Sequence, residues 1–298
     1  MIVYYADHHV VELPPGHRFP MAKYAQLRQA LIDRGVVAAS DMREAPLATR
    51  ADLVRVHDAD YVDAFIAGRV PDKMMRDIGL PWSRALVDRT LSSVGGTVCA
   101  IGEARRSGVG ANLAGGTHHA HRARGAGFCV FNDLAVAAGY ALANGVRSVL
   151  IFDADVHQGD GTATIFADHA RIHTVSIHAR SNFPFHKATS DADIELADHT
   201  GDDDYLRIVR ASFSEQLART APELVLYQAG VDPLREDALG RLSVSVDGLY
   251  ERDRFVLHAA KSAGVPIVTT LGGGYAKPIE LSIEAHVGTY RAIRDVFG

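Results

Sequence analysis

The sequence predicts an α/β fold, a mostly parallel sheet with helices packed on both faces. Three observations predict it. Short apolar runs rich in β-branched residues alternate with amphipathic stretches of helical length, the pattern of strand–helix units around a parallel sheet. Hydrophobic residues make up 47% of the 298 residues, enough to bury a sizeable core, and this length lies near the upper end of what one core supports. No internal repeat, low-complexity tract or Pro/Gly/Ser linker divides the chain, so residues 1–298 are read as one domain.

In chain order, Ile2–Tyr5 is a β-branched and aromatic run and reads as the first strand. The amphipathic stretches Ala22–Arg34 and Ser83–Arg106 read as helices, and Val109–Leu113 as a strand. Leu134–Asn144 is the next helix and Ser148–Phe152 the next strand, followed by the strand Ile172–Ile177. Asn182–Asp203 is polar and irregular and reads as a long functional loop. Asp204–Thr220 is a helix, Leu224–Gln228 a strand and Gly248–Ala263 a helix. Pro266–Leu271 is the last strand and Ile279–Val296 the last helix.

Composition removes several function classes. A net charge of −5 offers no basic footprint for nucleic acid. Two cysteines, Cys99 and Cys129, far apart in sequence, support neither a disulfide framework nor a cysteine zinc site. No stretch of ~20 apolar residues suggests a membrane span. The start, MIVYYADHHV, lacks the features of a secretory signal, so a cytoplasmic protein is expected. Fifteen histidines against one tryptophan direct attention to metal or proton-transfer chemistry.

Ligands of open parallel sheets bind at the carboxyl ends of strands. The residues there are Asp153, Asp155 and His157; Ser176 and His178; Asp232; and Gly272–Gly274 with Tyr275. Gly115–His119 follows the strand Val109–Leu113 to the same rim. Asp153, Asp155 and His157 occupy alternate positions, which in an extended segment share one side. Asp155 and His157 can then reach one ion together, with Asp232 as a third ligand and a position left for water. Such aspartates also cap helices. Zinc fits this donor set, and Fe²⁺ or Co²⁺ are compatible with it.

His118 and His119 follow two glycines and suit proton transfer in acyl hydrolysis, with Asp153 and Asp160 available to fix their tautomers. A surface pair or a second metal site is the alternative. Leu271–Tyr275 carries a strand through three glycines into a tyrosine. Its hydroxyl can donate to an oxygen that gains charge as water attacks an amide. A buried packing role for Tyr275 is the alternative.

Gly115–Asp133 (GGTHHAHRARGAGFCVFND) and Asp153–Gly161 (DADVHQGDG), followed in order by Ala229–Asp232 and Leu271–Tyr275, resemble the core of histone deacetylases and acetylpolyamine amidohydrolases. Leu13–Tyr24, Val56–Phe65 and Ile78–Ser83 extend the resemblance over nearly the whole chain. Short length, the sequence His157–Gln158–Gly159 and the stretch Ala229–Ser245 (AGVDPLREDALGRLSVS) most resemble the class IV branch and its bacterial relatives. The resemblance implies the arginase/deacetylase fold, an eight-stranded parallel sheet between helical layers. It implies metal ligation by Asp155, His157 and Asp232. It implies His119 as general base then acid, oriented by Asp160, His118 paired with Asp153, and Tyr275 polarising the carbonyl.

A substrate tunnel is implied at Gly127, Phe128, Phe183 and Gly273. A structural K⁺ or Na⁺ is implied near Asp153, Asp155, His157, Ser176 and Ile177. The implied substrate is an acylated lysine in a peptide or protein, with an acylated polyamine or other amine metabolite as the alternative.

Two family features lack an evident counterpart: an aspartate at the rim, and an arginine at the start of the first helix, near which Lys23 stands. An arginase-like pair of metals is disfavoured because Gly230 and Val231 offer no side-chain ligands beside Asp232. A non-catalytic binding module is disfavoured because every catalytic group is present. The remaining histidines, His121 and His178 among them, are read as surface, capping or packing residues, and Cys129 as packing beside Phe128.

Overall fold

A computed structural model describes residues 1–298. Eight strands form one all-parallel sheet: β1 (Val3–Tyr5), β2 (Met42–Glu44), β3 (Val109–Asn112), β4 (Val149–Asp153), β5 (Ile172–Ala179), β6 (Ala192–Leu196), β7 (Leu224–Gln228) and β8 (Ile267–Thr270). Their spatial order is β2-β1-β3-β8-β7-β4-β5-β6. The helices are α1 (Lys23–Asp33), α2 (Arg50–Leu53), α3 (Ala59–Ile66), α4 (Asp72–Ile78), α5 (Arg84–Ser107), α6 (Asp133–Ala143), α7 (Asp160–Ile165), α8 (Asp202–Thr220), α9 (Val246–Ser262) and α10 (Glu280–Phe297). No helix is long and apolar enough to cross a membrane.

Central strands are continuous apolar runs because both faces are covered. Leu150 and Phe152 of β4 join one core with residues of α1, α8, α9 and α10. Val149 and Ile151 of the same strand join a second core with residues of α3, α5 and α6. β7 divides the same way, Val225 and Tyr227 to one side and Leu224 and Leu226 to the other. The expected three-layer fold is therefore present, with the strand count that the resemblance implied.

Two strands escape the sequence reading. β2 has three residues, of which only Met42 is buried. β6 lies inside Asn182–Asp203, so that segment is not the uninterrupted loop expected. Its alternating half-buried and exposed residues become a strand by pairing with β5 at the sheet edge. The short helices α2, α3, α4 and α7, of four to eight residues, carry too little periodicity to be predicted from sequence.

β3, β8, β7, β4 and β5 are consecutive neighbours, so the rim motifs that follow them converge. Arg252 of α9 supports this rim from below and is fully buried. Its guanidinium donates to the carbonyls of Ala154 (3.2 Å), Ala229 (3.2 Å) and Gly230 (2.7 Å), and to Asp253 (2.7 Å). Those carbonyls precede Asp155 and Asp232. Replacing Arg252 by Met leaves Asp253 with only the Tyr227 and Thr289 hydroxyls and no counter-charge, and removes the guanidinium donor from three carbonyls; breaking such a buried pair costs about 3–5 kcal/mol. Urea denaturation of Arg252→Met is expected to show a loss of that order; a loss below about 1 kcal/mol would remove Arg252 from the framework of the rim.

Candidate metal centre and proton-transfer groups

β4 ends at Asp153, and the next residues turn back across the sheet edge through carboxylate bonds to their own backbone. Asp153 accepts from the Asp155 N–H (3.1 Å), and Asp155 from the His157 N–H (3.0 Å). Asp232, in the turn after β7, accepts from the Val156 N–H (2.9 Å) and so ties the two strand ends together. The His157 ring then sits between both acids, its Nδ1 2.9 Å from Asp155 and 3.1 Å from Asp232. One ligand atom from each of Asp155, His157 and Asp232 lies within 4.8 Å of the others.

The donor chemistry of this cluster fits a divalent cation. Two carboxylates, 2% and 0% exposed, share one imidazole. Burial opposes a charge on His157, but both carboxylates outweigh it and raise its pKa to about 10. Burial together with the charge of Asp155 pushes Asp232 up to about 7. The surplus negative charge is what a cation neutralises. Glycines keep the space open: a Cβ on Gly273 would lie 2.0 Å from Asp232 Oδ2, and one on Gly230 would lie 2.4 Å from Asp155 Oδ2.

Gln228 completes the cluster's support, and the sequence reading passed over it. Its Oε1 accepts from the Gly230 N–H (2.7 Å), which turns its amide to donate to Asp155 Oδ2 (2.7 Å). The Gly273 N–H donates to the same oxygen (2.9 Å). Gln228 ends a rim strand, so the strand-end criterion contained it.

Gly115–Thr117 leads into the histidine pair and is held by Asp133, the first residue of α6. The Thr117 N–H donates to Asp133 (2.7 Å), and a Cβ on Gly115 would meet the same carboxylate at 2.3 Å. His118 Nδ1 lies 2.6 Å from Asp153, and His119 Nδ1 2.6 Å from Asp160. The ring centroids of the two histidines are 4.1 Å apart, and His119 and His157 are 5.8 Å apart. A Cβ on Gly127 would press on the His119 ring at 2.7 Å.

Adjacent residues of one type acquire opposite proton affinities here. Burial lowers the pKa of both imidazoles. For His118 the carboxylates of Asp153 and Asp155 outweigh it, and the pKa rises to about 9. For His119 burial and the charge of His118 prevail over Asp160, and the pKa falls to about 4. Burial also disfavours ionised Asp160, but N–H donation from His119 and His121 holds its carboxyl below the usual range. His121 is therefore no surface bystander: its Nε2 lies 3.2 Å from Asp160 Oδ2, on the side opposite His119. His178 is a packing residue as expected, fully buried with Nδ1 3.0 Å from the Ser176 hydroxyl. Ser176 is the register partner of Asp153, which brings the implied cation-site residues of β4 and β5 side by side.

Tyr275 is positioned by a residue to which the sequence assigns no role. Asp237 accepts from the Tyr275 N–H (2.6 Å) and, through its other oxygen, from Leu239 (2.8 Å) and Gly240 (2.9 Å). Burial holds the Tyr275 hydroxyl well above its ordinary pKa, so it remains a donor. Lys23 is buried and donates to the Gly274 carbonyl (3.0 Å), with burial lowering its pKa to about 8.

Gly127, Phe128, Phe183 and Gly273, the residues the resemblance implied for a tunnel, line one cavity of about 640 Å³ together with His118, His119 and Tyr275. Phe183 meets His119 edge-on at 4.9 Å, and Phe128 lies 6.0 Å from Tyr275. Arg18 and exposed Asp77 line the same cavity, although the sequence reading identified neither an arginine near the first helix nor a rim aspartate. Cys129 packs beside this wall, and burial holds its thiol well above the usual range, as suits an inert residue.

The Gly273 contacts generate a test. Gly273→Ala drives a methyl group into both carboxylates and should weaken zinc uptake by about ten- to a hundredfold, the scale of perturbed ligand support. Asp232→Ala should abolish stoichiometric uptake. Metal content after dialysis against zinc-buffered chelator measures both; wild-type content in Asp232→Ala would remove Asp232 from the ligand set.

The histone deacetylase domain profile matches residues 17–289. Histone deacetylase 2 of Arabidopsis thaliana is 30% identical over 271 residues, covering 88% of this chain and 70% of the relative. An uncharacterised protein of Picosynechococcus sp. is 43% identical over 297 residues, covering 99% of both chains. A crystal structure of a histone deacetylase homologue complexed with SAHA superposes with a TM-score of 0.82 at 24% identity, over 97% of this chain and 82% of the other, a likeness of fold. With the profile spanning most of its length and these relatives covering it nearly end to end, the chain belongs to the histone deacetylase family.

Proposed function

We propose that this chain hydrolyses a linear amide, removing an acetyl or longer acyl group from the side-chain amine of lysine in a peptide or protein. The observation that carries the reading is the convergence of a two-acid, one-imidazole cluster, two carboxylate-paired histidines and an un-ionised tyrosine on one cavity. Asp155, His157 and Asp232 would hold the metal, zinc being the family norm and Fe²⁺ or Co²⁺ suiting the same donors. Bound there, it would supply Lewis-acid chemistry, polarising the carbonyl and making water acidic enough to attack near neutral pH. A K⁺ or Na⁺ beside Asp153, Asp155, His157, Ser176 and Ile177 belongs to the same reading.

The protein groups then divide the proton work. His119 donates from Nδ1 to Asp160, which leaves Nε2 as the basic atom facing the cavity. Its low pKa keeps it neutral at pH 7, so it accepts a proton from the attacking water and delivers it to the leaving amine. His118 stays cationic with Asp153 and contributes positive charge beside the developing oxyanion. Tyr275 donates to that oxygen as its charge grows. Phe183 and Phe185, 36% and 81% exposed at the mouth, offer an apolar lip to a peptide. Both cysteines are free thiols, which suits a reducing compartment such as the cytoplasm.

A panel of acetyl-, octanoyl- and myristoyl-lysine peptides beside acetylated polyamines, with metal-stripped protein as control, tests the reading. Turnover of polyamines alone would assign the small-molecule reaction instead. Tyr275→Phe should lower kcat by about 10²–10³-fold while leaving metal content unchanged, because only a transition-state donor is removed. Full activity in that variant would end the carbonyl-polarising role. His118→Gln removes a positive charge next to His119, so the pKa of His119 rises. The acid limb of the kcat/KM profile should therefore move to higher pH than in the wild type, whatever the change in rate. An unmoved acid limb would show that another group controls it.

A further inference from the structure

One face of α5 forms the inner wall of the cavity through Leu86, Arg89, Thr90, Ser93 and Val94. Ser93 lies directly behind the histidine loop, since its hydroxyl accepts from the Gly115 N–H at 3.0 Å. Gly115 in turn accepts from the Gly272 N–H at 3.2 Å, beside the metal cluster. Arg89 stands four residues before Ser93 on the same face, about 6 Å along the axis.

Arg89 is unusual among the arginines of this chain. It is 7% exposed and makes no salt bridge. The acids nearest in sequence and space are taken: Asp7 is bound by Arg28 at 2.9 Å and Asp88 by Arg84 at 2.9 Å. Its guanidinium rests on the Tyr24 ring, 4.3 Å from the centroid, and bonds to that side chain, with the charge of Asp7 as its only carboxylate support. By contrast, Arg252, the other deeply buried arginine, has an aspartate and three carbonyls. Arginine does not shed its proton inside proteins, and a buried charge without a counterion costs several kcal/mol. A cation in that condition, on the wall of a cavity, is a site for an anion that enters the cavity. The fork of guanidinium N–H groups suits a carboxylate.

Leu86, Val94 and Ala114 line the same cavity and give it apolar surface that suits an aliphatic spacer. We propose that Arg89 binds the distal carboxylate of an ω-carboxyacyl group, so that the amides hydrolysed include those of dicarboxylic acids, such as glutaryl-lysine. This rests on the amidohydrolase reading above and names the acyl class it serves. In the reaction the water oxygen bonds to the acyl carbon and the C–N bond breaks. One water proton passes to the amine, and the dicarboxylic acid leaves with its distal carboxylate on Arg89.

The test uses the metal-loaded protein and one peptide bearing acetyl-, butyryl-, pentanoyl-, succinyl- or glutaryl-lysine. The wild type is expected to favour glutaryl over pentanoyl, its uncharged counterpart of equal chain length, by at least about tenfold in kcat/KM. Arg89→Gln should cut that ratio by at least about tenfold, and Arg89→Lys should restore part of it. Calorimetry with free glutarate and pentanoate supplies a readout that needs no turnover: glutarate should bind more tightly, and Arg89→Gln should erase the difference. Turnover of acetyl-lysine with no glutaryl preference in the wild type overturns the proposal and leaves the reaction standing. Equal, Arg89-dependent binding of both free acids also overturns it, since Arg89 would then hold only a released product's carboxylate. If every acyl peptide is inert, the reaction reading fails, and selective glutarate binding alone decides whether Arg89 is a carboxylate subsite.

Discussion

Two carboxylates buried beside each other against one imidazole set the terms for the rest of this rim. Asp155 and Asp232 descend from different strands, and each would be strongly disfavoured as a lone buried anion. Their lone pairs are therefore met from every side: backbone N–H groups of Val156, His157 and Gly273, the Gln228 amide and the His157 ring. Arg252 grips the carbonyls just before both acids and so fixes where the two strand ends stop. The glycines at 230 and 273 are what such close approach demands, since any Cβ there would enter a carboxylate. This architecture concentrates negative charge and keeps the geometry of its donors, which is how a protein prepares for a cation before the cation arrives.

The histidine pair illustrates how environment separates chemical roles. His118 and His119 are neighbours, both buried and both paired through Nδ1 with a carboxylate at 2.6 Å. The difference is the second charge each one sees. His118 has Asp155 at 3.9 Å in addition to Asp153 and holds its proton. His119 sees that cation instead and gives its own up. Asp160 also divides its two oxygens between His119 and His121, so its support for a charged His119 is shared. The outcome is one imidazole that favours its proton and one neutral base, their ring centroids 4.1 Å apart, a division that acyl transfer can use.

Charge is distributed with equal care around Tyr275 and the inner wall. Asp237 ties the Tyr275 backbone to the loop at residues 237–240, while Lys23 holds the Gly274 carbonyl from the opposite side. The Gly274–Tyr275 peptide is thus held through both its carbonyl and its N–H, and the tyrosine ring packs 6.0 Å from Phe128. Against this background the guanidinium of Arg89 stands out, because it is buried with Tyr24 for a partner and makes no salt bridge.

The layered architecture was legible in the sequence because a strand covered on both faces leaves an uninterrupted apolar signature, and a long helix leaves a 3.6-residue one. The candidate metal cluster was legible because alternation puts Asp155 and His157 on one side of an extended segment and because Asp232 falls at another strand end, while the pairing of each histidine with its own carboxylate was implied only by the family resemblance. What the sequence could not determine was anything fixed by contacts between distant segments. β6 became a strand only through pairing with β5, since its own alternation is that of a polar edge. His121 and Asp237 acquired their roles because folding set them against Asp160 and Tyr275, and Gln228 because the Gly230 N–H turned its amide. Arg89 looks in sequence like any charged residue of an amphipathic helix. Only the tertiary structure decided that it faces inward without a counterion, because whether a charge is paired depends on which side chains arrive from elsewhere in the chain.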